Sequence, residues 1–212
     1  MGRRDRHTGR DRIVIPMRLL TTTVTSLELR QPPERVASPP ASDTELSFRE
    51  IRDIALDAYR TLYRSVGDPH HWTSRILPDD RLDREIHDEA TRIFVLLADD
   101  IVAGWFELEM RRSLKSARIV HLGIMPAFRG RGLADHLVSK AIVTGFSEGA
   151  ERLTIETNTL DHPAALPLYR KHGFTPYATR MVQTPAIESV EALAKAHHTP
   201  APTSMVAGDT PR

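Results

Sequence analysis

The chain has 212 residues, long enough for one domain with a proper core and terminal tails. Its 29 Lys and Arg nearly cancel 28 Asp and Glu, so no global field selects nucleic acid or an anionic membrane surface. There is no cysteine to form a disulfide or a thiol nucleophile, and the longest apolar runs, such as Ile93 to Ala98, fall far short of the roughly 20 residues a membrane span needs.

Residues 1–16 read as a disordered basic tail. Arg3, Arg4, Arg6, Arg10 and Arg12 are diluted by Asp5 and Asp11, and the apolar core of a signal peptide is missing. Met17 is an alternative start, because the pattern that follows it is the first to look folded. Leu20 to Arg30, rich in Thr, Val and Leu, reads as an outer strand. Pro32, Pro33, Pro39 and Pro40 then hold a connector extended. From Ser47 as N-cap, Ile51, Ile54, Ala55, Ala58 and Leu62 recur at helical spacing to about Arg64, and Gly67 closes that helix. His70, His71, Trp72, Thr73, Ser74 and Arg75 follow. Adjacent histidines point apart on a helix or a strand, so no metal pair is expected there.

A short helix from Asp80 to Ala90 leads into strands from Arg92 to Ala98 and Ile101 to Arg111, joined by an Asp99-Asp100 turn as an antiparallel hairpin. Alternation puts Val102, Phe106 and Leu108 on one face of the second strand. Ala103, Trp105, Glu107 and Glu109 fall on the other, where glutamates are ordinarily solvated.

Ile119 to Met125 is a nearly continuous apolar run that suits a strand buried on both faces, and Pro126 ends it. The turn Arg129-Gly130-Arg131-Gly132-Leu133-Ala134 comes next. It opens a helix with Leu133, Leu137, Ala141 and Ile142 at helical spacing. The glycines let a ligand approach the backbone, the helix start offers free N–H groups and a positive dipole end, and Arg129 and Arg131 add cationic forks. Leu153 to Glu156 is another buried strand. Asp161 caps a further helix, with Pro163 in its first turn and Gly173 past its end. The last strand runs from Thr175 to Gln183. Residues 186–212 read as a flexible tail in which Ile187 to Ala196 can form a short helix.

No P-loop is present, and the dinucleotide pattern G-x-G-x-x-G lacks its third glycine. What remains, with Arg129, Gly132 and Ala134 in the fixed places, resembles the R-x-x-G-x-A pyrophosphate loop of the GNAT superfamily of N-acetyltransferases. A second stretch, Asp161 to Phe174, resembles that family's N-x-x-A-x-x-L-Y-x-x-x-G-F segment, with Ala165, Leu168, Tyr169, Gly173 and Phe174 in register. The resemblance is firm from Phe94 to Tyr177. It implies an α/β (α+β) GNAT domain over residues 17–185: a mixed, mostly antiparallel twisted sheet of about six or seven strands flanked by about four helices.

The resemblance further implies acetyl-CoA as co-substrate, no metal, and direct attack by a primary amine of a small molecule or peptide. Leu122, Gly123 and Ile124 would line the pantetheine arm, with the Leu122 backbone N–H meeting the oxyanion and Ile124 holding the arm like an added strand, and Gly130, Arg131 and Leu133 would join Arg129, Gly132 and Ala134 around the diphosphate. Ala165 and Tyr169 would also touch the coenzyme. His162 stands where the family has asparagine. Tyr169 would protonate the departing thiolate. His121 occupies the strand position of a histidine in arylalkylamine N-acetyltransferases and is the first candidate base, with Glu107 and Glu109 as rivals. Arg118 stands where histone-type members have their glutamate. Trp72 and Arg75 resemble a W-x-x-R found in some bacterial members, within the region that holds the acceptor. A soluble, cytoplasmic protein is expected, with neither nucleic acid nor membrane as partner and a homodimer allowed. Two rival readings are an idle coenzyme-binding domain of the same fold and a general phosphate-binding α/β protein.

Overall fold

A computed structural model describes residues 17–33, 37–40 and 44–198; the tail expected at 1–16 and the end of the other at 199–212 lie outside them. The elements in chain order are β1 (Leu19–Leu29), β2 (Leu46–Ile51), α1 (Leu56–Gly67), α2 (Asp79–Ile86), β3 (Thr91–Ala98), β4 (Ile101–Arg111) and β5 (Ser116–Ile124). After these come α3 (Leu133–Ser147), β6 (Arg152–Asn158), α4 (Ala165–Lys171), β7 (Thr175–Pro185) and α5 (Ile187–His198). The seven strands form one sheet in the order β2-β3-β4-β5-β6-β1-β7. Every neighbouring pair is antiparallel except β5 and β6. A parallel pair needs a crossover, and α3 supplies it. The mixed sheet with five helices is the α/β class expected.

Two cores cover the two faces. On one, α3 and α4 bury Leu137, Ala141 and Tyr169 against Phe106, Leu108 and Ile119. On the other, α1 and α2 bury Tyr59, Tyr63 and Leu82 against Ile93, Val95 and Trp105. Residues 187–198, where helical spacing is legible, form α5. It is tied down by the Arg64–Glu191 ion pair and by Ser189 Oγ, which accepts from Arg18 N–H at 3.0 Å.

Four expectations need correction. Leu20 to Arg30 is not an outer strand: β1 lies inside the sheet, paired with β6 on one side and β7 on the other. Ser47 is not a helix cap: Leu46–Ile51 is an edge strand paired with β3, Leu46 opposite Ala98 and Ile51 opposite Ile93. Six residues alternating Leu46, Phe48 and Glu50 can satisfy a strand, and Phe48 packs on the α3-side core while Glu50 holds Arg92 through two bonds of 2.9 and 3.0 Å. The helix starts after Ala55 instead. Asp161 does not cap α4, whose N-cap is Ala164; its carboxylate closes the turn after β6, accepting from Asn158 N–H at 2.9 Å.

The fourth concerns parity. A register shift in the β3–β4 pairing leaves Ala103 unpaired between Gly104 and Val102, so Ala103 joins the Phe106 face and Val102 joins Trp105. A second shift leaves Val120 unpaired on β5: Leu108 faces Ile119, but Glu107 faces His121. Ile119 therefore points to the α3-side core and His121 to the other face, and the run from 119 to 125 is not uniformly buried. Arg118, Val120 and Leu122 are half-buried.

Candidate functional site

The pairing of β5 with β6 stops at Ile119 opposite Ile155, although both strands run on to Ile124 and Asn158. Beyond that point β5 keeps its bonds to β4, as far as Gly104 opposite Ile124, and its other edge carries no strand partner among the described residues. An open edge is a template for an extended ligand. The gap is a cavity of ≈ 510 Å³ walled by Leu122, Gly123 and Ile124, the glycine loop, the start of α3 and one side of α4. Gly123 is required by packing: a Cβ there would run into Val66 Cγ1 of α1.

At the mouth of this cavity Gly130 and Gly132 hold φ of 76° and 74°, a left-handed conformation that glycine adopts without cost. A Cβ on Gly130 would meet nothing within 4 Å, and one on Gly132 only Pro40 Cβ at 3.6 Å. The space before the helix is therefore open. Arg129, Leu133 and Ala134 also line it. The first turn of α3 carries Asp135, an anion where another anion would have to bind. That charge is already matched by Lys171 and by His172 Nε2 at 2.8 Å. Arg129 Nε reaches back to Ile124 O at 3.5 Å. Arg131 turns the other way: its guanidinium donates to Ala127 O at 3.0 Å, lies over the Phe128 ring, and is not part of the cavity wall.

His162, Ala165 and Tyr169 form the opposite wall. His162 Nδ1 accepts from Ala164 N–H at 3.2 Å, so it braces its own turn. Tyr169 stacks edge-on to Phe174, and its hydroxyl has no hydrogen-bond partner among the described residues. Burial, and after it the nearby Asp161 carboxylate, push the Tyr169 phenol well above its ordinary range. It is a neutral donor without a recipient.

A second cavity of ≈ 790 Å³ lies across β5, and His121, Val120 and Trp72 border both. Glu107 is fully buried at this junction. Its carboxylate accepts from Tyr59 O–H at 2.6 Å, from Arg75 and from His121 Nδ1 at 3.0 Å. Desolvation raises its pKa, but His121, then Arg75 and Tyr59, outweigh that and hold it at about 2. An ionised carboxylate is acceptor-only, so Nδ1 carries a proton; in the neutral imidazole Nε2 then faces Ser74 Oγ, 3.1 Å away, with a lone pair. Three aromatic rings, Tyr63, Trp72 and Trp105, surround the imidazole at 5.1, 5.2 and 6.0 Å.

Trp72 rests on Gly67, where a Cβ would lie 2.6 Å from Trp72 Cε3, and its Nε1–H donates to Asp161 Oδ1 at 2.9 Å. Arg75 joins the site as the cation between Glu107 and Glu85. Glu109 lines the larger cavity but is clamped by Arg111 at 2.9 and 2.8 Å. Arg118 makes only a 3.4 Å contact with Glu156. His70 and His71 diverge, one to Leu160 O and one to Ile187 N–H, and among the described residues no group could hold a metal ion. Tyr59, Tyr63, Ser74 and Asp161 are site residues that sequence reasoning does not reveal. The two tyrosines share the i, i+4 spacing of a core face, and Asp161 reads as a helix cap.

The model of the Acetyltransferase (GNAT) family matches residues 48–174. Seventy-five residues are 32% identical to the mycothiol acetyltransferase of Jonesia denitrificans, covering 35% of this chain and 24% of that protein. Sixty-seven are 33% identical to a Bacillus subtilis protein described as an alanine N-acetyltransferase of ribosomal protein bS18, covering 32% and 44%. The matches thus span less than half of either relative. A GCN5-related N-acetyltransferase from Sphaerobacter thermophilus superimposes with a TM-score of 0.50 at 16% identity, over 80% of this chain and 53% of that one, a likeness of fold.

Proposed function

The chain belongs to the acetyltransferase (GNAT) family, and on that premise we propose that it is an acetyl-CoA-dependent N-acetyltransferase passing an acetyl group directly to a primary amine, of a small molecule or peptide. The observation that carries this reading is the junction of the two cavities. A neutral phenol, Tyr169, faces one, a histidine oriented by a buried carboxylate borders both, and the open edge of β5 runs between them.

The residues fit the coenzyme. The space a Cβ would leave free at Gly130 and Gly132 suits a diphosphate before the α3 N-terminus, and the edge at 122–124 suits an extended pantetheine arm. When bound, acetyl-CoA supplies an acyl thioester open to attack by nitrogen. A lysine-like amine holds its proton up to about pH 10.4, so the site needs a base. His121 fills that role, its tautomer set by Glu107 so that Nε2 accepts. Tyr169, kept protonated by burial, donates to the departing sulfur. The Trp72, Trp105 and Tyr63 rings pack around the imidazole and help fix its orientation.

The test is thiol release from acetyl-CoA against an amine panel that includes peptides with free amino termini. Amine-dependent turnover is expected. Tight coenzyme binding without turnover on any amine would leave the idle domain instead.

A further inference from the structure

We propose that Ser74 is a nucleophilic hydroxyl, activated by His121 and Glu107, that accepts acyl groups from activated esters and releases them to water, a hydrolase activity beside the transfer to amines. The bonds around it run in one direction. Glu107 can only accept, so His121 Nδ1–H donates to it at 3.0 Å. In the neutral imidazole Nε2 then accepts, and the Ser74 O–H donates to it at 3.1 Å. Tyr63 O–H donates to Ser74 Oγ at 3.3 Å, while its own oxygen accepts from Arg75 N–H at 3.3 Å. A serine bonded to a histidine that is oriented by a buried carboxylate is the arrangement that turns a weak alcohol into a nucleophile.

Access agrees. Ser74 is exposed and lines the larger cavity, within reach of an ester there. In the first step Ser74 Oγ bonds to the acyl carbon and its proton passes to His121 Nε2; the bond to the leaving group breaks, and that group takes the proton. In the second, water attacks the acyl-serine ester and gives a proton to Nε2, which returns it to Ser74 Oγ. One ester and one water become one acid and one alcohol.

The proposal does not depend on the coenzyme cleft, so it is tested on the whole protein with p-nitrophenyl acetate alone. Expected are saturable release of p-nitrophenolate and a mass gain of one acetyl group on the peptide carrying Ser74. Ser74→Ala should remove that label and slow release by about tenfold or more. Because Ser74 lies outside the coenzyme cavity, unchanged acetyl-CoA affinity in calorimetry certifies the fold of that variant. Ser74→Cys should carry the acetyl group at the same position as a hydroxylamine-sensitive thioester. Acetyl found only on other residues, or Ser74→Ala hydrolysing the ester at the wild-type rate, overturns the proposal.

Discussion

Glu107→Gln removes one charge from a fully buried position and leaves the shape almost unchanged. In the native protein that carboxylate sits at about 2 against an ordinary 4.5, because His121, Arg75 and Tyr59 all favour its charged form. At about 1.4 kcal/mol per pH unit, the difference is worth about 3 kcal/mol of native stability, within the range of about 3–5 kcal/mol for breaking a buried pair. Arg75 keeps Glu85, so the lower end applies. A chain of this size loses about 2–4 °C per kcal/mol, which puts the melting temperature about 6–12 °C lower. The amide can also present N–H to His121, releasing the imidazole from its working tautomer, and the rate should fall on the order of 10³-fold. Differential scanning fluorimetry and the thiol-release assay read both effects. A variant that melts within about 1 °C of the parent at full activity would refute the reasoning.

The same depressed carboxylate sets an acid limit. Its stabilisation is complete above about pH 4.5 and is lost as pH falls towards about 2, so the parent's melting temperature should drop more steeply across that window than that of Glu107→Gln, as a pH series of melts would record. Tyr169→Phe deletes a hydroxyl that has no partner among the described residues. Its melting temperature and coenzyme affinity should stay close to the parent's while kcat drops on the order of 10²-fold, and an unchanged kcat would remove the proton-donor role. Arg129 lines the cleft and Arg131 does not, so calorimetry should find acetyl-CoA affinity reduced about tenfold or more by Arg129→Ala and less than about threefold by Arg131→Ala.

Much of the fold is written in local patterns. The glycine turn before α3, the Leu168-Tyr169 and Gly173-Phe174 pairs and the β3–β4 hairpin each lie within one stretch, and the structure places them as local spacing suggests. What the sequence conceals is register. Nothing in Trp105-Phe106-Glu107 or Val120-His121 announces the unpaired residues at 103 and 120, yet the second of these brings His121 to the face of Glu107. Strand β2 was hidden because Ile51 and Ile54 prolong the helical spacing of α1 backwards through a six-residue alternation. The cluster around Glu107 draws Tyr59 from α1, Arg75 and Ser74 from the connection before α2, and His121 from β5. Residues so far apart in sequence show no spacing by which to find one another.

A crystal structure of the protein with acetyl-CoA bears most directly on the central claim. It should show the diphosphate on the backbone amides of Arg129 to Ala134, the pantetheine arm along residues 122–124 of β5, and the thioester between Tyr169 and His121. Coenzyme density elsewhere on the molecule, or none in the gap between β5 and β6 at saturating concentration, would contradict it.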